Sequence, residues 1–259
     1  MSAPKQLQTA ERMHPDMTDS VACEFVQKHR PRLALAFLAA SLMLCGRPAA
    51  AEALARPAQP PQVVIGEALE RLEAGNRRYT TGKLLHPRQN AKRRSELATE
   101  QHPFAIVLGC ADSRTSPEVL FDQGLGDLFV VRVAGNVLND HILGSIEYAV
   151  EHLGARLVVV LGHERCGAVR AARDMVAAKT EAPPHINSLV HAIRPAVEAV
   201  PGSDLEAMTH ANIRSVVQGL RSSAPTLKGK VDSREITVTG AYYDLDTGKV
   251  TFLETAQAE

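Results

Sequence analysis

A chain of 259 residues that is 45% hydrophobic and 22% charged can bury one substantial core and is too apolar for intrinsic disorder. Its formal net charge is zero, and Lys and Arg are not gathered into one block, which disfavours nucleic acid and anionic membranes as partners. One folded domain with appendages is the expectation.

The first appendage is N-terminal. KHRPR at 28–32 supplies positive charge, LALAFLAASLMLC at 33–45 is apolar, and RPAAAEA at 47–53 offers small residues. That order is the layout of a secretory signal peptide, with cleavage expected near Ala51. The apolar run falls short of the roughly 18 residues a membrane span needs, so no permanent membrane anchor is expected. Residues 1–51 therefore read as a signal peptide, which implies a periplasmic or secreted protein. Residues 52–62 read as a Pro-rich spacer, and 63–259 as the folded domain. Without the leader, only Cys110 and Cys166 remain of the four cysteines.

Within the domain, 63–82 places Ile65, Leu69, Leu72 and Tyr79 near one face of a predicted amphipathic helix. A second, basic helix is predicted within 88–100, with Lys92, Arg93 and Arg94 on a solvated face. The apolar runs at 104–109, 127–134 and 156–162 show little polar alternation, as strands buried on both faces do. Helical patterns occupy 141–154 and 166–178, which gives the rhythm of a parallel α/β sheet. Residues 187–224 read as helical with a break at Pro201-Gly202. The tail at 235–254, with DTG at 246–248, reads as an edge hairpin. The predicted fold class is α/β: a mainly parallel sheet flanked by helices, with N-terminal amphipathic helices and a C-terminal hairpin.

Cys110 follows the first predicted strand, and His163 and Cys166 follow the third. The carboxyl ends of parallel strands share one edge, where α/β proteins build their sites, so these three residues can converge. Two thiolates and an imidazole suit tetrahedral zinc with one position left open. A disulfide between the two cysteines of an exported chain is the alternative. GLG at 124–126 does not extend into a dinucleotide fingerprint, and no Walker-type loop is present.

CADSRTSPEVLF, DLFVVRVAGNV, GSIEYAVEHLG and LGHERCGAV follow one another at 110–121, 127–137, 144–154 and 161–169. In these motifs and their order the chain resembles the β-class carbonic anhydrases, from about Glu67 to Glu254. The resemblance implies reversible hydration of CO2 to bicarbonate by zinc-bound hydroxide, with one zinc per subunit on Cys110, His163 and Cys166. It further implies Asp112 and Arg114 as a catalytic pair, and Gln101, Phe129, Tyr148 and Gly167 in a substrate pocket at the interface of a homodimer or homotetramer. Ala134 stands where some relatives carry a larger aliphatic residue.

Two thiolates cancel the charge of zinc, so water bound there is less acidified than at a three-histidine site and needs help from neighbouring groups. Asp112, restrained by Arg114, is expected to orient the nucleophile; in a closed state it would become the fourth zinc ligand. His102, His141 and His185 are candidate proton carriers by sequence proximity alone. Two rival functions are a related hydrolase of carbonyl sulfide or carbon disulfide and a non-catalytic zinc-stabilised binding domain. Retention of both Asp112 and Arg114 argues against the second, since structural zinc needs neither.

Overall fold

A computed structural model describes residues 63–253. The segments expected as signal peptide (1–51) and spacer (52–62), and the end of the chain after Leu253, lie outside the described residues. In chain order the elements are α1 (Ile65–Thr80), α2 (Ala91–Glu96), β1 (Ala105–Gly109), α3 (Pro117–Leu120), β2 (Leu128–Arg132), α4 (Asp140–Leu153) and β3 (Leu157–His163). There follow α5 (Gly167–Ala178), α6 (Pro184–Glu198), α7 (Leu205–Ser222), α8 (Thr226–Asp232), β4 (Thr237–Tyr243) and β5 (Val250–Leu253).

The strands form one sheet in the order β2-β1-β3-β4-β5. The first four are parallel, and β5 returns antiparallel to β4 as the expected hairpin. Every residue of β1 and β3 is buried, which is why both read as continuous apolar runs. Side chains alternate between the two sheet faces. Ile106, Leu108, Val158, Val160 and Val238 meet Ile146 and Ala149 of α4, Ile213, Val217 and Leu220 of α7, and Leu227 of α8. Ala105, Val107, Leu157, Val159 and Ala241 meet α1 and α3 on the opposite face.

The helix ends follow local chemistry. Asn139 and Asp204 accept hydrogen bonds from the first turns of α4 and α7, and Gly154 ends α4 in the left-handed region. The break at Pro201-Gly202 separates α6 from α7, with Gly202 at φ 72°. Pro184 opens α6 three residues before the expected start; its missing N–H and fixed φ suit the first helical turn.

The structure refines the helical readings. The centre of the buried face of α1 is Ala68, Leu72, Gly75 and Asn76, with Ile65, Leu69 and Tyr79 half-buried beside it. Gly75 explains the roll: a Cβ there would stand 1.7 Å from the Phe121 carbonyl oxygen, so the backbone itself packs against that turn. The second helix is only six residues long, and Arg93 is half-buried, its Nε donating to Leu125 O at 3.1 Å. Finally, α3 and α8 had no sequence signal, α3 being a single turn of four residues and α8 carrying Gly229.

Candidate metal centre

The carboxyl edge of the sheet gathers the sequence-derived ligands. Cys110 follows β1 directly, His163 is the last residue of β3, and Cys166 stands immediately before α5. Their ligand atoms all lie within 4.8 Å of one another, and all three residues are buried. Cys110 and Cys166 are free thiols, not a disulfide.

Local hydrogen bonds prepare each ligand. His163 Nδ1 lies 2.8 Å from the carbonyl oxygen of Glu164. A carbonyl only accepts, so Nδ1 carries the proton and the Nε2 lone pair faces the two sulfurs. Nε2 is buried and has no hydrogen-bond partner. A buried acceptor left unsatisfied between two thiols is the arrangement a thiophilic cation completes, so these residues fit zinc. Cys110 Sγ accepts from the N–H of Gly135 at 3.3 Å and of Asp112 at 3.4 Å. The hydrogen bond from the Cys166 thiol pulls the Cys110 thiol down to about 4, with smaller help from the N–H groups of Gly135 and Asp112 and against the effect of burial. The same contact, with burial, pushes Cys166 up. Both thiols would give up their protons on binding a metal, because the ligand is the thiolate.

Asp112 and Arg114 form a two-point pair. Arg114 Nε donates to Asp112 Oδ1 at 2.9 Å and Nη2 to Oδ2 at 2.7 Å, while the Arg114 N–H reaches Oδ1 at 3.0 Å. The guanidinium hydrogen bond holds the Asp112 carboxyl well below the usual carboxylate range. Asp112 Oδ2 lies 3.9 Å from His163 Nε2. The carboxylate therefore borders the ligand group with both oxygens engaged by Arg114.

Several residues that hold this arrangement carried no sequence signal. Arg132, at the end of β2, donates to Cys110 O at 2.9 Å and Asp112 O at 2.6 Å, and Thr115 Oγ1 donates to Asp112 O at 2.9 Å. The loop at 163–166 is tied to the hairpin: Glu164 N–H donates to Tyr243 O at 2.8 Å and Leu245 N–H to Glu164 Oε2 at 3.1 Å. Arg165, left-handed at φ 52°, forks onto Asp246 at 2.6 and 3.0 Å. The carboxylates of Glu164, Asp244 and Asp246 also lie within 4.8 Å of one another. Arg165 and turn N–H groups engage that trio, which serves the hairpin turn.

The resemblance-derived pocket residues are placed unevenly. Gly167 begins α5 next to Cys166, and a Cβ there would meet nothing within 4 Å. Gln101 is exposed and precedes β1, at the strand end opposite Cys110. Phe129 pairs with Ile106 on β2, roughly 10 Å short of the carboxyl edge, half-buried against the core. Tyr148, on α4, is 49% exposed, its ring 5.0 Å from that of His152. Within one chain these last three do not join the metal group. His102, His141 and His185 are all exposed.

A parallel α/β sheet carrying two cysteines and a histidine at its carboxyl edge, beside a carboxylate held by a guanidinium, defines a metalloenzyme-type site. Comparison with known proteins says which kind. Residues 105–250 match the family model described as carbonic anhydrase. The chain is 38% identical over 187 residues to carbonic anhydrase 2 of Mycobacterium tuberculosis, covering 70% of this chain and 89% of that protein. It is 33% identical over 172 residues to a carbonic anhydrase of Pseudomonas aeruginosa, covering 62% and 77%. Among solved structures, the β-carbonic anhydrase CcaA matches with TM-score 0.57 and 26% identity over 72% of this chain and 95% of that one. The Coccomyxa β-carbonic anhydrase in complex with acetazolamide matches with TM-score 0.54 and 28% identity, over 61% and 75%. The chain belongs to the carbonic anhydrase family, in its β class. It is an enzyme of CO2 hydration.

Proposed function

We propose that Cys110, His163 and Cys166 hold one zinc ion per subunit and that Asp112, restrained by Arg114, orients the nucleophile for attack on CO2. The observation that carries this reading is the buried His163 Nε2, left without a partner between two sulfurs, with Asp112 Oδ2 3.9 Å away. Bound there, zinc supplies a Lewis acid that lowers the pKa of water and leaves one position for it.

The chain's own groups do the rest. Arg114 engages both carboxylate oxygens and so keeps Asp112 from closing onto the ligand group. Asp112, ionised, accepts a hydrogen bond from the O–H of the attacking oxygen and turns its lone pair toward the carbon of CO2. The new C–O bond makes bicarbonate, which leaves the pocket, and the proton lost by the water that supplied the nucleophile passes to solvent. His163 keeps its tautomer through Glu164 O, and the N–H groups of Gly135 and Asp112 offset part of the negative charge on Cys110.

Gln101, Phe129 and Tyr148 act from a substrate wall completed by a second copy of the chain, as a homodimer or a homotetramer. The exposed Tyr148 and the half-buried residues of the edge strand β2 support that reading. We also place the mature protein in the periplasm or outside the cell, on the strength of the leader at 1–51. Stopped-flow CO2 hydration by the zinc-loaded protein tests the mechanism. Activity in the parent with a loss of about 10²-fold or more in Asp112→Asn is expected, and full activity in that variant would remove the role given to Asp112.

A further inference from the structure

We infer that Asn212 is a positioning residue for the Cys110 ligand: from α7 it fixes the turn at 134–136 whose Gly135 N–H donates to Cys110 Sγ. The inference rests on the metal-site reading above and deepens it. Asn212 is buried to 1% exposure, and its Nδ2 donates to Gly135 O at 2.9 Å. The N–H of the same glycine reaches the sulfur at 3.3 Å. A single residue therefore links a helix amide to a metal ligand.

The turn has little freedom to adjust otherwise. Gly135 sits at φ 71°, in the left-handed region that favours glycine. A Cβ there would come within 2.6 Å of Ile193 Cδ1 and 3.0 Å of Ala168 Cβ, so α6 and α5 press on the turn while α7 holds its carbonyl. Asn136 N–H closes it onto Val133 O at 2.9 Å. Removing the Asn212 amide leaves the Gly135 carbonyl buried without this donor, and the peptide is then free to tilt toward another. The N–H beside it moves with the turn, and the sulfur loses a hydrogen bond.

That hydrogen bond matters because the ligand set is electron-rich. Two thiolates neutralise the charge of zinc, which weakens its pull on the fourth ligand. An N–H directed at sulfur draws charge back from the thiolate, as groups that hydrogen-bond to metal ligands do elsewhere.

A buried Asn of purely structural role provides the control. Asn76 donates to Leu120 O at 3.2 Å and Gly248 O at 2.9 Å and accepts from Val250 N–H at 2.9 Å, tying α1 to the hairpin without contact with the ligand group. The experiment compares Asn212→Ala and the milder Asn212→Ser with Asn76→Ala in the full chain. The readouts are zinc affinity by chelator competition and the thiolate-to-cobalt charge-transfer absorption after cobalt(II) substitution. All three variants should lose thermal stability. Only the Asn212 variants should shift the cobalt band and weaken zinc binding, by about 10- to 100-fold; Asn212→Ser decides the matter if Asn212→Ala does not fold. An unchanged band and affinity in the Asn212 variants, with stability lowered as in Asn76→Ala, overturns the inference. A parent chain that takes up no stoichiometric zinc or cobalt instead defeats the metal-site reading on which it stands.

Discussion

The loops that carry the ligands and the wall that carries Phe129 and Tyr148 are built in opposite ways. Cys110, His163 and Cys166 are buried at the carboxyl ends of β1 and β3, and the loops that follow these strands are tied by hydrogen bonds to β2 and β4. Phe129 is half-covered on an edge strand with no further strand beside it among the described residues, and Tyr148 faces outward from α4. The lesson is a division of labour. One chain suffices to bring the three candidate ligands and the carboxylate together, whereas in the proposed function the substrate wall is completed by a second copy.

The most damaging change should therefore lie in the first region. Cys110→Ser removes a ligand outright. Weakening a group that merely supports a ligand costs about 10- to 100-fold, so loss of the ligand should exceed that range in both zinc affinity and CO2 hydration. Metal analysis of the purified variant, beside its hydration rate, checks this. The same region predicts that in the zinc-loaded parent both cysteines are metal-bound thiolates, with no disulfide between them. Stripped of zinc and exposed to oxidised glutathione, the chain without residues 1–51, whose only cysteines are Cys110 and Cys166, should lose the mass of two hydrogens as the two join and glutathione is reduced; its Cys110→Ser variant cannot form that intramolecular disulfide.

Asp112→Asn comes next and separates chemistry from metal binding, because the side chain keeps its shape while losing its charge. Zinc content should stay at the parent level while hydration falls by about 10²- to 10⁴-fold. The pH dependence has a definite sign. The Asp112 carboxyl is held below its ordinary value, so its pairing with Arg114 stabilises the fold fully above the unfolded pKa of about 3.9 and is lost as pH falls through the lower folded value. The difference in thermal stability between parent and variant should be constant from about pH 5 to 8 and should narrow below about pH 4. A difference that grew on acidification would contradict the pairing.

How much of this the sequence disclosed depends on the kind of signal each feature carries. The convergence of Cys110, His163 and Cys166 was legible because each stands at or just past the end of a buried apolar strand, and parallel strands must bring their carboxyl ends to one edge. The layered α/β fold was legible for the same reason. Arg132, Thr115, Gly135 and Asn212 were not, since their work is to hold backbone groups. A donor aimed at a carbonyl 77 residues away leaves no pattern in sequence. The inward turn of Arg93 was hidden because its acceptor is the backbone oxygen of Leu125, in a loop 32 residues later. Periodicity gave α1 its length but not its exact roll, which the close approach of Gly75 to Phe121 decides.

Tyr148→Ala probes the second region with a smaller expected effect. The ring is about half exposed in the single chain, so its loss should leave folding and zinc content nearly unchanged. If a second copy covers it, hydration should fall several-fold and become dependent on protein concentration as the assembly weakens. Light scattering across the same concentration range ties the two effects together. Concentration-independent, parent-like activity would return Tyr148 to the ordinary surface.

Asp246→Asn should do least, and the reason sharpens what counts as part of the metal region. Arg165 forks onto Asp246 from within the loop that carries His163 and Cys166, which makes the pair look like a latch on the ligands. Both side chains are well exposed, however, at 44% and 66%, so solvent and salt screen their attraction. The loop also has two anchors that do not involve Asp246: the Glu164 N–H on Tyr243 O and the Leu245 N–H on Glu164 Oε2. With these in place, zinc affinity in Asp246→Asn should stay within about threefold of the parent and depend little on salt. Chelator competition at low and high ionic strength measures both. A tenfold loss at low salt that vanished at high salt would instead make the hairpin turn an electrostatic support of the ligand loop, and the boundary of the rigid region would move outward to include it.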